Sequence, residues 1–184
     1  MVIASNHISE LDPFLIVACF SFFSPHIPLF YVSREKGFYK KGWRTKVYGG
    51  TFFRMMGAYP AYTGLNDYEQ ALRHHLEIIK KRSVCIFPMG GIHLENEHAK
   101  AKGGVSYLAK TTSLPILPIR IQGLEKITFK EFFGGERKVI VTFGKPLYAK
   151  DIFPMMKKES AEGASYSECE KAAAMLMEKI SQLT

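Results

Sequence analysis

Cysteine is scarce in this chain. Cys19, Cys85 and Cys169 are an odd set with no close spacing, which excludes a disulfide framework and a zinc finger or ribbon. They read as reduced, mostly buried thiols of a cytosol-facing protein, with Cys85 inside the apolar run Val84-Cys85-Ile86-Phe87. The histidines supply no metal site either. His93 and His98 are not at helical ligand spacing, His74 and His75 are adjacent and diverge on a helix, and no His-Glu-x-x-His occurs. Neither a metal nor a cofactor is expected.

Long hydrophobic runs are also missing. Phe14 to Val32 is mostly apolar, but Pro25, His26 and Pro28 interrupt it. The unbroken part is about half of the roughly 20 residues that a spanning helix needs. No signal peptide, internal repeat, low-complexity tract or interdomain linker is visible, and Glu159–Ser165 reads only as a loop. Acidic residues are outnumbered, 17 against 25 Lys and Arg, leaving a net charge of +8. That excess favours an anionic partner: a membrane surface, a phosphorylated substrate or nucleic acid. With 184 residues, 47% hydrophobic and 23% charged, the chain is expected to form a single domain over 1–184 with a substantial core.

What is present alternates between strand-like and helix-like segments. Val2–Ser5, Pro28–Ser33, Gly57–Ala61, Val84–Phe87, Ile116–Ile121 and Lys138–Phe143 read as strands. Pro13–Phe23 reads as a helix apolar on nearly every face, so it is buried or touches lipid. Asn66–Arg82 reads as a helix capped by Asn66 with Glu69 three residues on; Leu72, Leu76 and Ile79 form its apolar face, with His74, His75, Lys80 and Lys81 mainly off it. Gly103–Thr111 reads as a helix with Leu108 and Ala109 inward. The last helix starts near Ser167, with Glu170 completing a second capping box and Leu176, Ile180 and Leu183 on its apolar side. This alternation predicts an α/β fold with a largely parallel or mixed central sheet flanked by helices.

Asn6-His7-Ile8-Ser9-Glu10-Leu11-Asp12-Pro13-Phe14 follows the first strand. Asp12 before Pro13 reads as a helix start, the aspartate as N-cap and the proline at the first helical position. His7 then sits in the turn, from which its ring can fold back onto the Asp12 carboxylate. Such a pair suits general-base catalysis, with Asp12 setting the tautomer and stabilising the imidazolium; a structural hydrogen bond needs the same two residues. Gly90 and Gly91, directly after an apolar strand, can expose backbone N–H groups to an anionic ligand or form a plain tight turn. Lys102 beside the helix start Gly103-Gly104 puts a cation at a helix N-terminus. Arg34, Lys36, Lys40, Lys41, Arg44 and Lys46, interleaved with Phe38, Tyr39 and Trp43, suit lipid headgroups, single-stranded nucleic acid or simply solvent.

Several of these segments fall into one order. Asn6-His7 through Asp12-Pro13-Phe14 resembles the N-H-x-x-x-x-D motif of the glycerolipid acyltransferases, whose best-known members are the lysophosphatidic acid acyltransferases. Gly57-Ala58-Tyr59-Pro60-Ala61 resembles the second block and Ile86-Phe87-Pro88-Met89-Gly90 the third, Phe-Pro-Glu-Gly-Thr-Arg. Lys102 to Ala109 resembles the lysine–glycine helix that follows, and Leu114 to Ile119 the Val-Pro-x-x-Pro-like fourth block. Order and spacing agree from about Ser5 to Gly123.

The resemblance implies His7 and Asp12 as the catalytic pair. The donor would be acyl-CoA or acyl carrier protein, the acceptor a lysolipid or other lipid with a hydroxyl or amine, and the setting a membrane surface at the cytoplasmic face. It requires no cofactor and no nucleic-acid partner. The chain also departs from the family. Thr63 stands where the second block usually has arginine, and Met89 and Ile92 stand where the third has glutamate and arginine. In the family those charges are associated with the acceptor's phosphate and glycerol, so their replacement argues against a lysophosphatidate acceptor. Lys36, Arg54 or Lys102 are the candidates to replace the lost cation, with Gly90, Gly91 and Thr63 as further substrate-binding candidates. The chain begins just before the first motif, without the hydrophobic anchoring segment common upstream in the family. The alternative from another class is a degenerate, non-catalytic lipid-binding domain.

Overall fold

The computed structural model describes residues 1–34, 55–62, 64–65, 67–93, 100–135, 137–153 and 165–184. In chain order the elements are β1 (Val2–Ser5), α1 (Asp12–Ala18), β2 (Phe30–Arg34), β3 (Ala58–Ala61), α2 (Tyr68–Ala71), α3 (Arg73–Ile79) and β4 (Val84–Ile86). They continue with α4 (Gly104–Thr112), β5 (Ile116–Gln122), α5 (Phe129–Gly134), β6 (Ile140–Phe143), α6 (Ala149–Ile152) and α7 (Tyr166–Ser181).

All four residues of β1 are buried, and it pairs in parallel with β4 on one side and β5 on the other. The sheet order is β3-β2-β4-β1-β5-β6, with β6 antiparallel at its edge. The apolar strands Val-Cys-Ile and Val-Ile-Ala-Ser are what a parallel sheet covered on both faces requires, and the expected largely parallel α/β architecture is what forms. On one face Ile3, Cys85, Tyr31, Ile119 and Ile121 pack against Ile16 of α1. On the other, Val2, Ala4, Val84, Ile86 and Ile116 pack against Val105 and Leu108 of α4 and Ala172, Leu176 and Ile180 of α7.

This division places the site. The connection leaving β1 runs to β2 by way of α1 on one face, and the connection leaving β4 runs past β1 to β5 by way of α4 on the other. Where two such connections diverge, a crevice opens at the carboxyl ends of the strands. Residues just after Ser5 and Ile86 therefore face one another across it.

Local signals were displaced in several places. Asp12 is the first helical residue, not the N-cap, which is Leu11; its carboxylate turns back to the preceding loop instead of capping its own helix. The helix expected to reach Phe23 ends at Ala18, because Ser21 and Ser24 offer competing local bonds to Phe23 N–H and His26 N–H. The segment before Arg82 is two helices. Asp67 caps the first, accepting from Glu69 and Gln70 N–H, while Asn66 lies outside the described residues. The break at Leu72 follows from Ala71, whose carbonyl accepts from Tyr62 N–H beside β3. His75, expected off the apolar face, is fully buried, with Nε2 donating to the Tyr59 carbonyl at 3.1 Å. The last helix is capped two residues earlier than expected, by Ser165 with Glu168. Glu170 instead pairs with Lys100 at 2.7 Å, and Tyr166 stacks on Tyr68 with centroids 4.5 Å apart. Two short helices, α5 and α6, have no counterpart in the sequence reading; a capping box at Thr128/Glu131 holds the first, and the Asp151 carboxylate accepting Tyr148 N–H at 2.7 Å holds the second. Among the described residues no helix is long and apolar enough to cross a membrane.

Candidate active site

The site is built outward from the end of β1. Asn6 extends the ladder beyond the strand with its side chain: Nδ2 donates to the Ile121 carbonyl at 2.7 Å and Oδ1 accepts Ile121 N–H at 2.8 Å. The amide thus takes the place of a backbone peptide beside β5 and directs the chain into the 7–11 turn. His7 emerges there with its side chain 18% exposed, above an Asp12 that is wholly buried.

Three donors converge on Asp12 Oδ2: Ile8 N–H at 2.6 Å, His7 Nδ1 at 2.8 Å and Ser9 N–H at 2.9 Å. The backbone pair holds the carboxylate still, so the carboxylate can hold the ring. Because the carboxylate accepts, Nδ1 carries the proton and Nε2 presents a lone pair. That is the tautomer a general base needs.

The ring's other support comes from the β4 loop. Phe87 stacks on His7 with centroids 4.2 Å apart and an interplanar angle of 20°, and Tyr31 lies parallel beyond Phe87 at 6.4 Å. The Tyr31 hydroxyl donates to the Pro13 carbonyl at 2.6 Å, tying β2 to the first turn of α1. His93 N–H donates to the His7 carbonyl at 2.8 Å, so the 87–93 loop closes over the histidine at both ends. Burial pushes the Cys85 thiol well above its ordinary range, with the nearby Asp12 charge acting in the same direction. A thiol so held is a poor nucleophile.

The structure brings four of the sequence candidates into two pairs. His7 meets Asp12, and Lys102 lies over Gly90: a Cβ on Gly90 would stand 2.8 Å from Lys102 Nζ and Cε. Gly90 has φ +69°, so glycine is needed there both for backbone conformation and for close approach. Gly90 N–H donates to the Phe87 carbonyl at 2.9 Å, which commits that amide to the turn; Gly91 follows it in the same loop. Thr63, Lys36 and Arg54 lie outside the described residues, as does the basic run after Arg34. Among the described residues no three His, Cys, Asp or Glu side chains cluster as metal ligands. Phe87, Tyr31 and the Asn6 bridge were not singled out from sequence; the position of Phe87, immediately after an apolar strand and before Pro88, was the available signal for one of them.

The model of the family described as Acyltransferase matches residues 1–122, the stretch from β1 through β5 that contains the whole constellation. The chain belongs to this acyltransferase family. In fold the chain is similar to the crystal structure of the 1-acyl-sn-glycerophosphate (LPA) acyltransferase PlsC from Thermotoga maritima. That likeness has a TM-score of 0.54 and 18% identity, and covers 100% of this chain and 68% of that one. At that identity the likeness speaks for the fold. No curated protein matches the chain. Family and fold support acyltransferase activity in general, with an acyl donor and a lipid acceptor as partners.

Proposed function

We propose that this acyltransferase moves a fatty acyl group from a thioester, acyl-CoA or acyl carrier protein, to a hydroxyl or amine of a lipid acceptor, with His7 as general base. The observation that carries the reading is the 2.8 Å contact from His7 Nδ1 to a carboxylate already fixed by two backbone N–H groups. Nε2 takes the proton from the acceptor as its oxygen or nitrogen attacks the thioester carbonyl carbon. Asp12 stabilises the resulting imidazolium, and the Phe87 ring face lies against it. The tetrahedral intermediate collapses with loss of the C–S bond, and the departing thiolate recovers the proton from His7. No acyl-cysteine is required, in keeping with the protonated, buried Cys85. The loop at Gly91 is the candidate for stabilising the oxyanion.

Met89 and Ile92 occupy positions where the family resemblance expects charge, which supports an acceptor other than lysophosphatidate. Lys102, laid over Gly90 on the same loop, is the described cation best placed to meet an acceptor's anionic group. The enzyme would work peripherally at the cytoplasmic face of a membrane, without cofactor. The test is thioester cleavage by wild type and His7→Ala against a panel of lysolipid and amino-lipid acceptors. Acceptor-dependent thiol release lost in His7→Ala is the expected result. The absence of His7-dependent turnover with any acceptor would overturn it, and retained lipid binding in that case would assign a non-catalytic lipid-binding domain.

A further inference from the structure

Two phenylalanines stand out from the body of this protein. Phe22 is 84% and Phe23 92% exposed, their rings in edge contact with centroids 5.5 Å apart. The turn that carries them is hydrogen-bonded: Ser24 N–H donates to the Ser21 carbonyl at 2.8 Å and Ile27 N–H to the Ser24 carbonyl at 3.1 Å. They do not stand alone. Phe14 and Val17, three apart on α1 and so on one face, are also exposed. Phe20 joins this helix to the sheet edge through an edge contact with the exposed Phe143 of β6, at 6.0 Å. From Pro13 to Ser33 the sequence contains no Asp, Glu, Lys or Arg. Exposed apolar side chains gathered along an uncharged segment in this way mark an interaction surface.

The charge around this surface selects its partner. Lys138 and Lys145 are exposed beyond the two ends of β6, and no acidic residue occurs between Lys138 and Lys150. A second copy docking through the same face would set these lysines against each other. An anionic lipid surface accepts aromatic side chains into its interface and attracts the lysines around them.

We propose that the α1 face, with Phe22 and Phe23 as inserting side chains and Lys138 and Lys145 as flanking cations, docks this acyltransferase on an anionic bilayer. The proposal rests on the reading of the acceptor as a lipid and specifies how the enzyme meets it. Phe14 is two residues from Asp12, so the surface begins beside the catalytic pair. The Phe22–Phe23 turn lies towards the opposite end of the sheet, where His26 Nδ1 meets the hydroxyl of Ser83, just before β4, at 3.0 Å. The helix therefore lies lengthwise on the surface, and the His7 crevice sits at the rim of the contact.

Cys19 is exposed while Cys85 and Cys169 are buried, so the natural chain takes an environment-sensitive fluorophore at Cys19 alone. The experiment uses vesicles of phosphatidylcholine with and without phosphatidylglycerol. Wild type is expected to float with the anionic vesicles and to shift the Cys19 label to the blue. Phe22→Ser with Phe23→Ser should weaken partitioning at least about tenfold. Lys138→Glu with Lys145→Glu should remove most of the preference for phosphatidylglycerol, and added salt should mimic that loss. Unchanged melting temperatures verify folding, which substitutions at such exposed positions leave intact.

Failure of wild type to float, or a double-serine variant that floats like wild type, overturns the proposal. So does a concentration-dependent dimer that the serine substitutions dissociate without vesicle binding, which assigns the face to a second copy. Thiol release is measured in parallel with a soluble short-chain thioester and a water-soluble acceptor. Turnover without vesicle binding defeats the docking surface alone. Vesicle binding through Phe22 and Phe23 supports the surface, and if no acceptor of the lysolipid and amino-lipid panel is then turned over, the enzymatic reading alone is defeated.

Discussion

The two faces of the sheet are built for different purposes. On one, α3, α4, α6 and α7 seal a core in which Val105, Leu108, Ala172, Ala173 and Leu176 are wholly buried. On the other, the seven-residue α1 is the covering helix among the described residues, and it leaves Phe14, Val17 and the Phe22–Phe23 turn in solvent. His7 and Asp12 belong to the sparsely covered face, on the loop that leads into α1. The contrast teaches that stability and chemistry are separated by the sheet: one face holds β1 rigid, and the other presents what β1 delivers.

The sharpest way to break that separation is His7→Ala. Turnover should fall by about 10²–10⁴-fold with the melting temperature nearly unchanged, since the ring is on the open face; kinetics and a thermal melt on the same sample check it. The opposite change is Leu176→Ala under the covered face. It should cost about 2–5 kcal/mol in denaturant unfolding, while activity per folded molecule stays within a factor of two or so of wild type. A large activity loss in the folded Leu176 variant would show that the two faces are coupled.

Acid should act through the covered face as well. Burial lowers His75 to about 4 from an ordinary value of 6.5, against the raising effect of its bond to the Tyr59 carbonyl. The unfolded chain therefore binds this proton more readily than the folded one. The stability associated with neutral His75 is complete above about pH 6.5 and drains away as pH falls towards about 4, by roughly 3 kcal/mol in all. His75→Gln should flatten the pH dependence of unfolding across that window. An identical slope in wild type and variant would remove His75 as the origin.

The smallest expected effect sharpens the comparison on the open face. Phe87→Leu keeps an apolar side chain on the β4 loop but removes the ring stacked on His7. It should lower kcat about tenfold, the scale of a lost stacking or cation–π contact, and leave KM for the thioester little changed. Phe87→Tyr should restore most of the rate. A fall in binding rather than in kcat would assign Phe87 to substrate contact instead of ring positioning.

Much of the fold was legible because its signals are local. The runs Val2–Ser5, Val84–Ile86 and Ile116–Gln122 are apolar enough that a buried parallel sheet was the natural reading, and helix α4 lies within one residue of its expected bounds. Caps were harder. Ser165-Tyr166-Ser167-Glu168-Cys169-Glu170 contains two overlapping capping boxes, and the choice between them was made by Lys100 and Tyr68, far away in sequence. Asp12 had two possible partners of its own, the helix it begins and the loop before it. Three converging donors from His7, Ile8 and Ser9 decided for the loop.

The sequence by itself determined the strand pattern, the histidine and aspartate five residues apart at a strand end, and the glycine loop after β4, since each depends on neighbours within a few positions. Only the tertiary structure decided that Phe87 would stack on His7, that Asn6 would stand in for a peptide beside Ile121, that Lys102 would lie across Gly90, and that His75 would be buried. Those contacts join residues up to 115 positions apart. They arise because strands distant in sequence become neighbours when the sheet closes, and no local periodicity records which side chains will then meet.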